Sequence, residues 1–141
     1  MTAEEALRVA VASEVRHGRA SFAAAAALRD LGMRNDALSR LYYAVFHHAT
    51  ALLLTEGVEP RRHRAMPGLL LTHLGGAGFD ATDAARVGRL ATYRDMADYE
   101  RAFDATSDIL DEAFRDAELV IEKAIACLVA RSMLDASSAG T

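Results

Sequence analysis

Ser39-Arg40-Leu41-Tyr42-Tyr43-Ala44-Val45-Phe46-His47-His48-Ala49-Thr50-Ala51-Leu52-Leu53-Leu54 decides how this chain folds. Its apolar residues Leu38, Leu41, Tyr42, Val45, Phe46, Ala49, Leu52 and Leu53 recur at spacings of three and four, the period of a helix with one buried stripe. Arg40, Tyr43, His47, Thr50 and Leu54 are spaced the same way and share a second side. A helix that only packs has no use for two tyrosines, two histidines and an arginine, because polar groups buried without partners cost free energy. Two readings fit that second side. Either it is a packed interface whose polar tips are satisfied by neighbouring helices or a second subunit, or it is the wall of a cleft that uses these donors.

The rest of the chain reads as more helix. A first helix is expected from about Ala3 to Leu31, with Leu7, Val11, Val15, Phe22, Ala26 and Leu28 as its stripe and Gly18 interrupting it. Gly32 supplies the stop. Asn35 is expected to cap the second helix, which ends near Gly57. Beyond a loop with Pro60, a short helix is expected from His63 to Leu74, with Pro67 early in it. Gly75-Gly76-Ala77-Gly78 reads as a flexible break. Asp80 or Thr82 opens a helix through about Met96, and Thr106-Ser107-Asp108 opens the last, which is expected to reach about Leu134. Its apolar face is Leu110, Ala113, Phe114, Ala117, Ile121, Ala124, Ile125 and Leu128. No segment alternates with period two. The fold class is therefore all-α, an up-down bundle of four long helices plus one short helix. Residues 1–134 are expected to form a single domain and residues 135–141 a flexible tail.

Composition excludes several classes. Of the 141 residues, 52% are hydrophobic and two are proline, which rules out a disordered or fibrous chain. No apolar run is long enough for a membrane span, and the acidic start Met1-Thr2-Ala3-Glu4-Glu5 lacks a signal-peptide pattern. Cys127 is alone and the five histidines have no H-E-x-x-H spacing, so no metal and no cofactor are expected. A cytoplasmic location is the default. Net charge is −4 but uneven: residues 1–70 balance at +2 and residues 71–141 at −6. The overall acidity argues against broad, sequence-independent nucleic-acid binding. The local cluster Arg61-Arg62-His63-Arg64 can take a phosphate, pair with acidic groups of another subunit, or simply be solvated. Between Asp95 and Glu122 there are ten acidic residues and only two arginines; if this surface flanks the cleft, it repels RNA and suits a basic protein partner.

At Ala37-Leu38-Ser39-Arg40-Leu41-Tyr42-Tyr43-Ala44-Val45-Phe46-His47, Ala51-Leu52-Leu53-Leu54 with Gly57, His63, and Arg94 with Ala97-Asp98-Tyr99, the sequence resembles the HEPN domains (higher eukaryotes and prokaryotes nucleotide-binding). It is most similar to their small stand-alone bacterial and archaeal subgroup. The resemblance covers roughly Ala3 to Leu134. It implies a helical bundle that pairs into a homodimer and is partnered by a minimal nucleotidyltransferase in a toxin-antitoxin pair. It also implies RNA or a nucleotide as ligand. Many HEPN toxins are metal-independent ribonucleases whose motif is an Arg, a polar residue, and a His four to six positions after the Arg, placed in the cleft between subunits. The Arg is thought to hold the scissile phosphate, and the His to move protons or position the 2′-hydroxyl.

Carried onto this chain, the motif gives Arg94, Asp95 and Tyr99 as candidate catalytic residues and Arg40, Tyr43, His47 and His63 as candidate cleft or ligand-binding residues. Tyr99 stands where histidine is expected. A phenol titrates near 10, far from the neutral range that suits acid-base work, though it can donate a hydrogen bond to a phosphate. An imidazole would be available only if His47, His48 or His63 approaches Arg94 in space. In some pairs of this family the transferase attaches AMP to a tyrosine of the motif, and Tyr99 is the nearest match. Arg94 continues the stripe of Val87, Leu90 and Ala91, so it needs an anionic or carbonyl partner, and Asp98 is nearest by spacing. Either that pair pins the fourth helix and the following turn, or Arg94 serves a cleft. Tyr99 lies about 140° round the helix from Arg94, so the two meet only if the helix ends there or a second subunit intervenes.

Overall fold

The structure, a computed structural model, describes the backbone of residues 1–139 and the side chains of residues 1–137. Its helices are α1 (Ala3–Asp30), α2 (Arg34–Leu54), α3 (Met66–Leu74), α4 (Ala81–Tyr99), α5 (Ser107–Ala130) and a single turn, α6 (Ala136–Ala139). A 3₁₀ turn, His63–Ala65, leads into α3. Gly140 and Thr141, the end of the expected tail, lie outside the described residues. Among those described there is no strand. The chain is the all-α bundle its pattern implies.

Its centre is α2, which packs against α1, α3, α4 and α5. Thirteen of its 21 residues are buried, so burial spreads beyond one stripe to Ala44, His48, Thr50 and Ala51. α1 starts with Thr2 Oγ1 accepting from the Glu5 amide at 3.1 Å and buries Val11, Val15, Gly18, Ser21 and Ala25 along α2. Gly18 continues that stripe rather than interrupting it. A Cβ there would lie 2.4 Å from His48 Nδ1, so the bare backbone makes the notch that seats the imidazole. The Leu31–Met33 turn, with Gly32 at φ 75°, is short enough to make α1 and α2 an antiparallel pair.

The helix ends follow from local chemistry, with four departures. α2 begins at Arg34 after Met33, which makes no side-chain cap. Asn35 instead bridges to the α4–α5 loop, donating to the Phe103 carbonyl and accepting from the Ala105 amide, both at 2.9 Å. The glycine-rich break is a 3₁₀ turn closed by Gly78 at φ 96°, after which buried Phe79 anchors the chain. α4 opens with a reciprocal capping box between Asp80 and Asp83 and runs beyond Met96 to Tyr99. α5, capped by Thr106 Oγ1 on the Ile109 amide, stops at Ala130, where Ser132 at φ 59° turns the chain away before Leu134.

α4 and α5 are joined by charge. Buried Asp116 accepts two hydrogen bonds from Arg89, at 3.1 and 3.0 Å, and buried Asp83 takes Lys123 and Arg86. Burial alone would raise the Asp83 carboxyl, but hydrogen bonds from Lys123 and the Asp80 amide outweigh it and hold it low. Part of the acid-rich stretch is therefore spent inside the bundle.

Candidate anion-binding cleft

The last turns of α4 lie beside the Tyr42–Tyr43 segment of α2 and the 3₁₀ turn at His63. Val87 and Leu90 are buried, and Arg94, one turn further on, has a side chain only 12% exposed. Its Nε donates to Asp98 Oδ2 at 3.4 Å, and Asp98 also accepts from Ser39 Oγ on α2 at 3.5 Å. The guanidinium carbon lies 5.2 Å from the Tyr42 ring centroid and 5.4 Å from that of Tyr43, within range of a cation–π contact. Asp95 is at the 4.0 Å limit of an ion pair. Burial opposes the charge on Arg94, but Tyr43, Asp98, Tyr99 and Asp95 together outweigh it and raise the guanidinium's pKa further. Arg94 is a fixed cation.

The backbone turns extended at Glu100, so the helix ends immediately after Tyr99. Arg94 and Tyr99 consequently line one cleft of about 380 Å³ with Arg62, His63, Arg64, Ala91 and Asp95. The last turn is intact, closed by the Glu100 amide on the Met96 carbonyl at 3.1 Å, so the two side chains reach the same cleft from different sides of the helix end. Tyr99 is 74% exposed at the rim. No carboxylate among the described residues stands within 4 Å of Arg62 or Arg64, which remain available to an anion.

Of the three histidines considered for Arg94, His63 is the one that comes to it. Its Nδ1 is 2.9 Å from the hydroxyl of fully buried Tyr42, and its ring packs on Phe46 at 4.4 Å between centroids, with Tyr43 edge-on at 5.8 Å. Partial burial, and then the Arg94 charge, push the imidazole's pKa below its usual value, which favours the neutral ring. Burial pushes the Tyr42 phenol up to about 12, against the lowering influence of Arg94.

The second polar side of α2 is divided. Tyr43 packs behind the cleft against Arg94 and His63 without lining it, and Arg40, also outside the lining, lies over the Tyr43 ring at 5.1 Å. His47 does not line the cleft: Nδ1 pairs with Glu14 Oε2 on α1 at 2.7 Å, and its ring sits 5.6 Å from His17. His48 is buried against α1. Its Nδ1–H donates to the Ala44 carbonyl at 2.7 Å, and burial lowers its pKa against that bond. The sequence pattern passed over Tyr42, which fits the apolar stripe. The signal was its hydroxyl, since a buried phenol needs a hydrogen-bond partner. Among the described residues, no three His, Cys, Asp or Glu side chains are grouped to hold a metal ion. No helix there is long and apolar enough to cross a membrane.

The all-helical order agrees with a family comparison. The model of the HEPN domain matches residues 13–128, from within α1 to near the end of α5. This chain belongs to the HEPN domain family. Every residue of the cleft falls inside the matched stretch of this HEPN domain. It is 28% identical over 95 residues to a UPF0332 protein of Archaeoglobus fulgidus, covering 67% of this chain and 76% of that one. It is 40% identical over 52 residues to a UPF0332 protein of Pyrococcus horikoshii, 37% of each chain. A Methanocaldococcus jannaschii protein named "Putative toxin MJ0605" is 44% identical over 43 residues, 30% of this chain and 32% of that one.

Proposed function

We propose that this HEPN domain is a binding and regulatory module, the HEPN component of a toxin-antitoxin pair with a minimal nucleotidyltransferase, and that its cleft grips a phosphate of RNA or of a nucleotide. The observation that carries the reading is Arg94: a guanidinium 12% exposed, braced by Asp98 and two tyrosine rings, at a cleft that also holds His63, Arg62 and Arg64. A forked, always-charged donor in that setting suits phosphate better than any neutral ligand. The toxin name of one relative, and the HEPN family itself, support the pairing. A homodimer in which two clefts face each other fits the same reading. The acidic surface after Asp95 favours a basic protein partner over long RNA.

Binding is preferred to cleavage because Tyr99 occupies the place of the motif histidine and its phenol is a poor proton shuttle near neutral pH. The second reading, a metal-independent RNA-cleaving toxin, is favoured by one observation: an imidazole, His63, stands in the same cleft as Arg94. Incubating the purified protein with tRNA and total RNA, beside Arg94→Ala, separates the two. The first reading expects intact RNA. Cleavage that Arg94→Ala abolishes would establish the second.

Tyr99, exposed at the helix end, is also accessible to a transferase. Its hydroxyl oxygen would bond to the α-phosphorus of ATP while the bond to pyrophosphate breaks, with the phenolic proton passing to a base of the transferase. Mass spectrometry after co-expression with the transferase checks this, and an unmodified Tyr99 rejects it.

A further inference from the structure

We propose that Tyr42 and His63 form a single donor unit of the cleft, in which the buried phenol fixes the imidazole as its Nε2–H tautomer so that His63 donates to the phosphate held by Arg94. This rests on the reading of the cleft as a phosphate site. Tyr42 is fully buried, and its protonated hydroxyl requires an acceptor. Among the described residues that acceptor is His63 Nδ1, at 2.9 Å. Arg94, the other polar group at the phenol, only donates and so can only approach the oxygen's lone pairs. A proton on Nδ1 would set two donors against the same oxygen and leave the phenolic hydrogen buried without a partner. The chain of bonds therefore runs from Tyr42 O–H to Nδ1, and the imidazole proton sits on Nε2.

Packing holds the ring in that orientation: Phe46 lies against one side, with Tyr42 and Tyr43 around it. With Nδ1 committed to the buried phenol, Nε2 is the nitrogen left for the cleft that His63 lines with Arg62, Arg64 and Arg94. A neutral imidazole in this tautomer has no free lone pair for a 2′-hydroxyl proton. His63 thus serves as a binding residue, and Tyr42 as the positioning residue behind it. The shared ligand chemistry is a phosphate oxyanion, which can come from the phosphomonoester of a nucleotide or from a phosphodiester within RNA.

NMR of the full chain carrying ¹⁵N-labelled histidine tests this. His63 should show a pyridine-type shift at Nδ1 and a pyrrole-type shift at Nε2. The Nε2–H signal should move on addition of inorganic phosphate, 5′-AMP, or a 2′-O-methyl oligoribonucleotide without terminal phosphates. A response to the first two alone identifies the monoester source, and a response to the oligoribonucleotide the diester. Tyr42→Phe keeps the ring in the core and should release the tautomer, seen as mixed shifts at both nitrogens. His63→Phe keeps the aromatic packing and should weaken phosphate binding about tenfold, the worth of one hydrogen bond to a charged group, with His63→Gln restoring part of it. A proton found on Nδ1, or an Nε2–H signal unmoved by a ligand that Arg94→Ala shows to bind in the cleft, overturns the proposal and leaves the cleft standing. If none of the three probes binds the native chain, the cleft reading fails, and the proposal with it.

Discussion

Two histidines flank the core of this HEPN domain, one on each side of α2, and hydrogen bonding sets them to opposite tautomers. His48 faces α1. It is 1% exposed, its Nδ1–H is spent on the Ala44 carbonyl of its own helix, and Nε2 is buried with no hydrogen-bond partner among the described residues. His63 faces α4. Its Nδ1 accepts from a buried phenol and its second nitrogen is left to a cleft lined by arginines. Both rings are held neutral mainly by burial. One closes a helix–helix seam and the other can address a ligand. A histidine in an apolar helical protein is therefore sorted by where its two nitrogens go, rather than by its burial.

The largest effect should come from closing the notch on the α1 side. Gly18→Val drives side-chain atoms into the His48 ring and should cost about 2 kcal/mol in urea unfolding, as overpacking does. Phosphate affinity of the cleft should stay within about twofold, since distant sites act independently. A parallel loss of binding would break the separation of the two sides.

Acid comes next. Both histidines have lowered pKa values in the fold, so the unfolded chain binds more protons once pH falls below about 6.5. Stability should be at its full value above that pH and decline as pH drops toward the folded pKa values, by up to about 1.4 kcal/mol per pH unit for each proton taken up. His48→Leu should flatten that decline in equilibrium unfolding measured between pH 7.5 and 5.5. An unchanged slope would remove His48 from the account.

Arg94→Ala should cost less than about 1 kcal/mol of stability, because an i,i+4 pair and a cation–π contact at a partly open site are worth that little. The same change should cost more in binding. Smallest is Tyr99→Ala: with the residue 74% exposed, the unfolding free energy should shift by no more than about 0.5 kcal/mol. A larger loss would mean that Tyr99 is part of the bundle's packing.

Much of this was legible in the sequence. The helical periods, Asp80 and Thr106 as caps, Pro67 in a first turn and the Arg94–Asp98 spacing all express local rules, and local rules survive folding. The departures are long-range. Asn35 has the right chemistry for a cap, but an amide reaching its own helix and one reaching a distant loop look alike in sequence. Arg40, Tyr43 and His47 do share a side of α2, yet a side does not reveal that two different helices flank it, so His47 is claimed by Glu14 on α1 while Tyr43 joins Arg94. Tyr42 fits the apolar stripe in sequence, and it is core; only the third dimension shows that its hydroxyl meets His63.

The central claim is that the chemistry of this domain belongs to the α4 side of α2. Fluorescence anisotropy of a labelled oligoribonucleotide, or of a labelled adenine nucleotide, against the native chain, Arg94→Ala and His47→Ala tests it most directly. Arg94→Ala should lose affinity by tenfold or more, about 1.4 kcal/mol, while His47→Ala stays within about twofold of the native chain. Retained binding in Arg94→Ala with loss in His47→Ala would contradict the account and move the site to the α1 side.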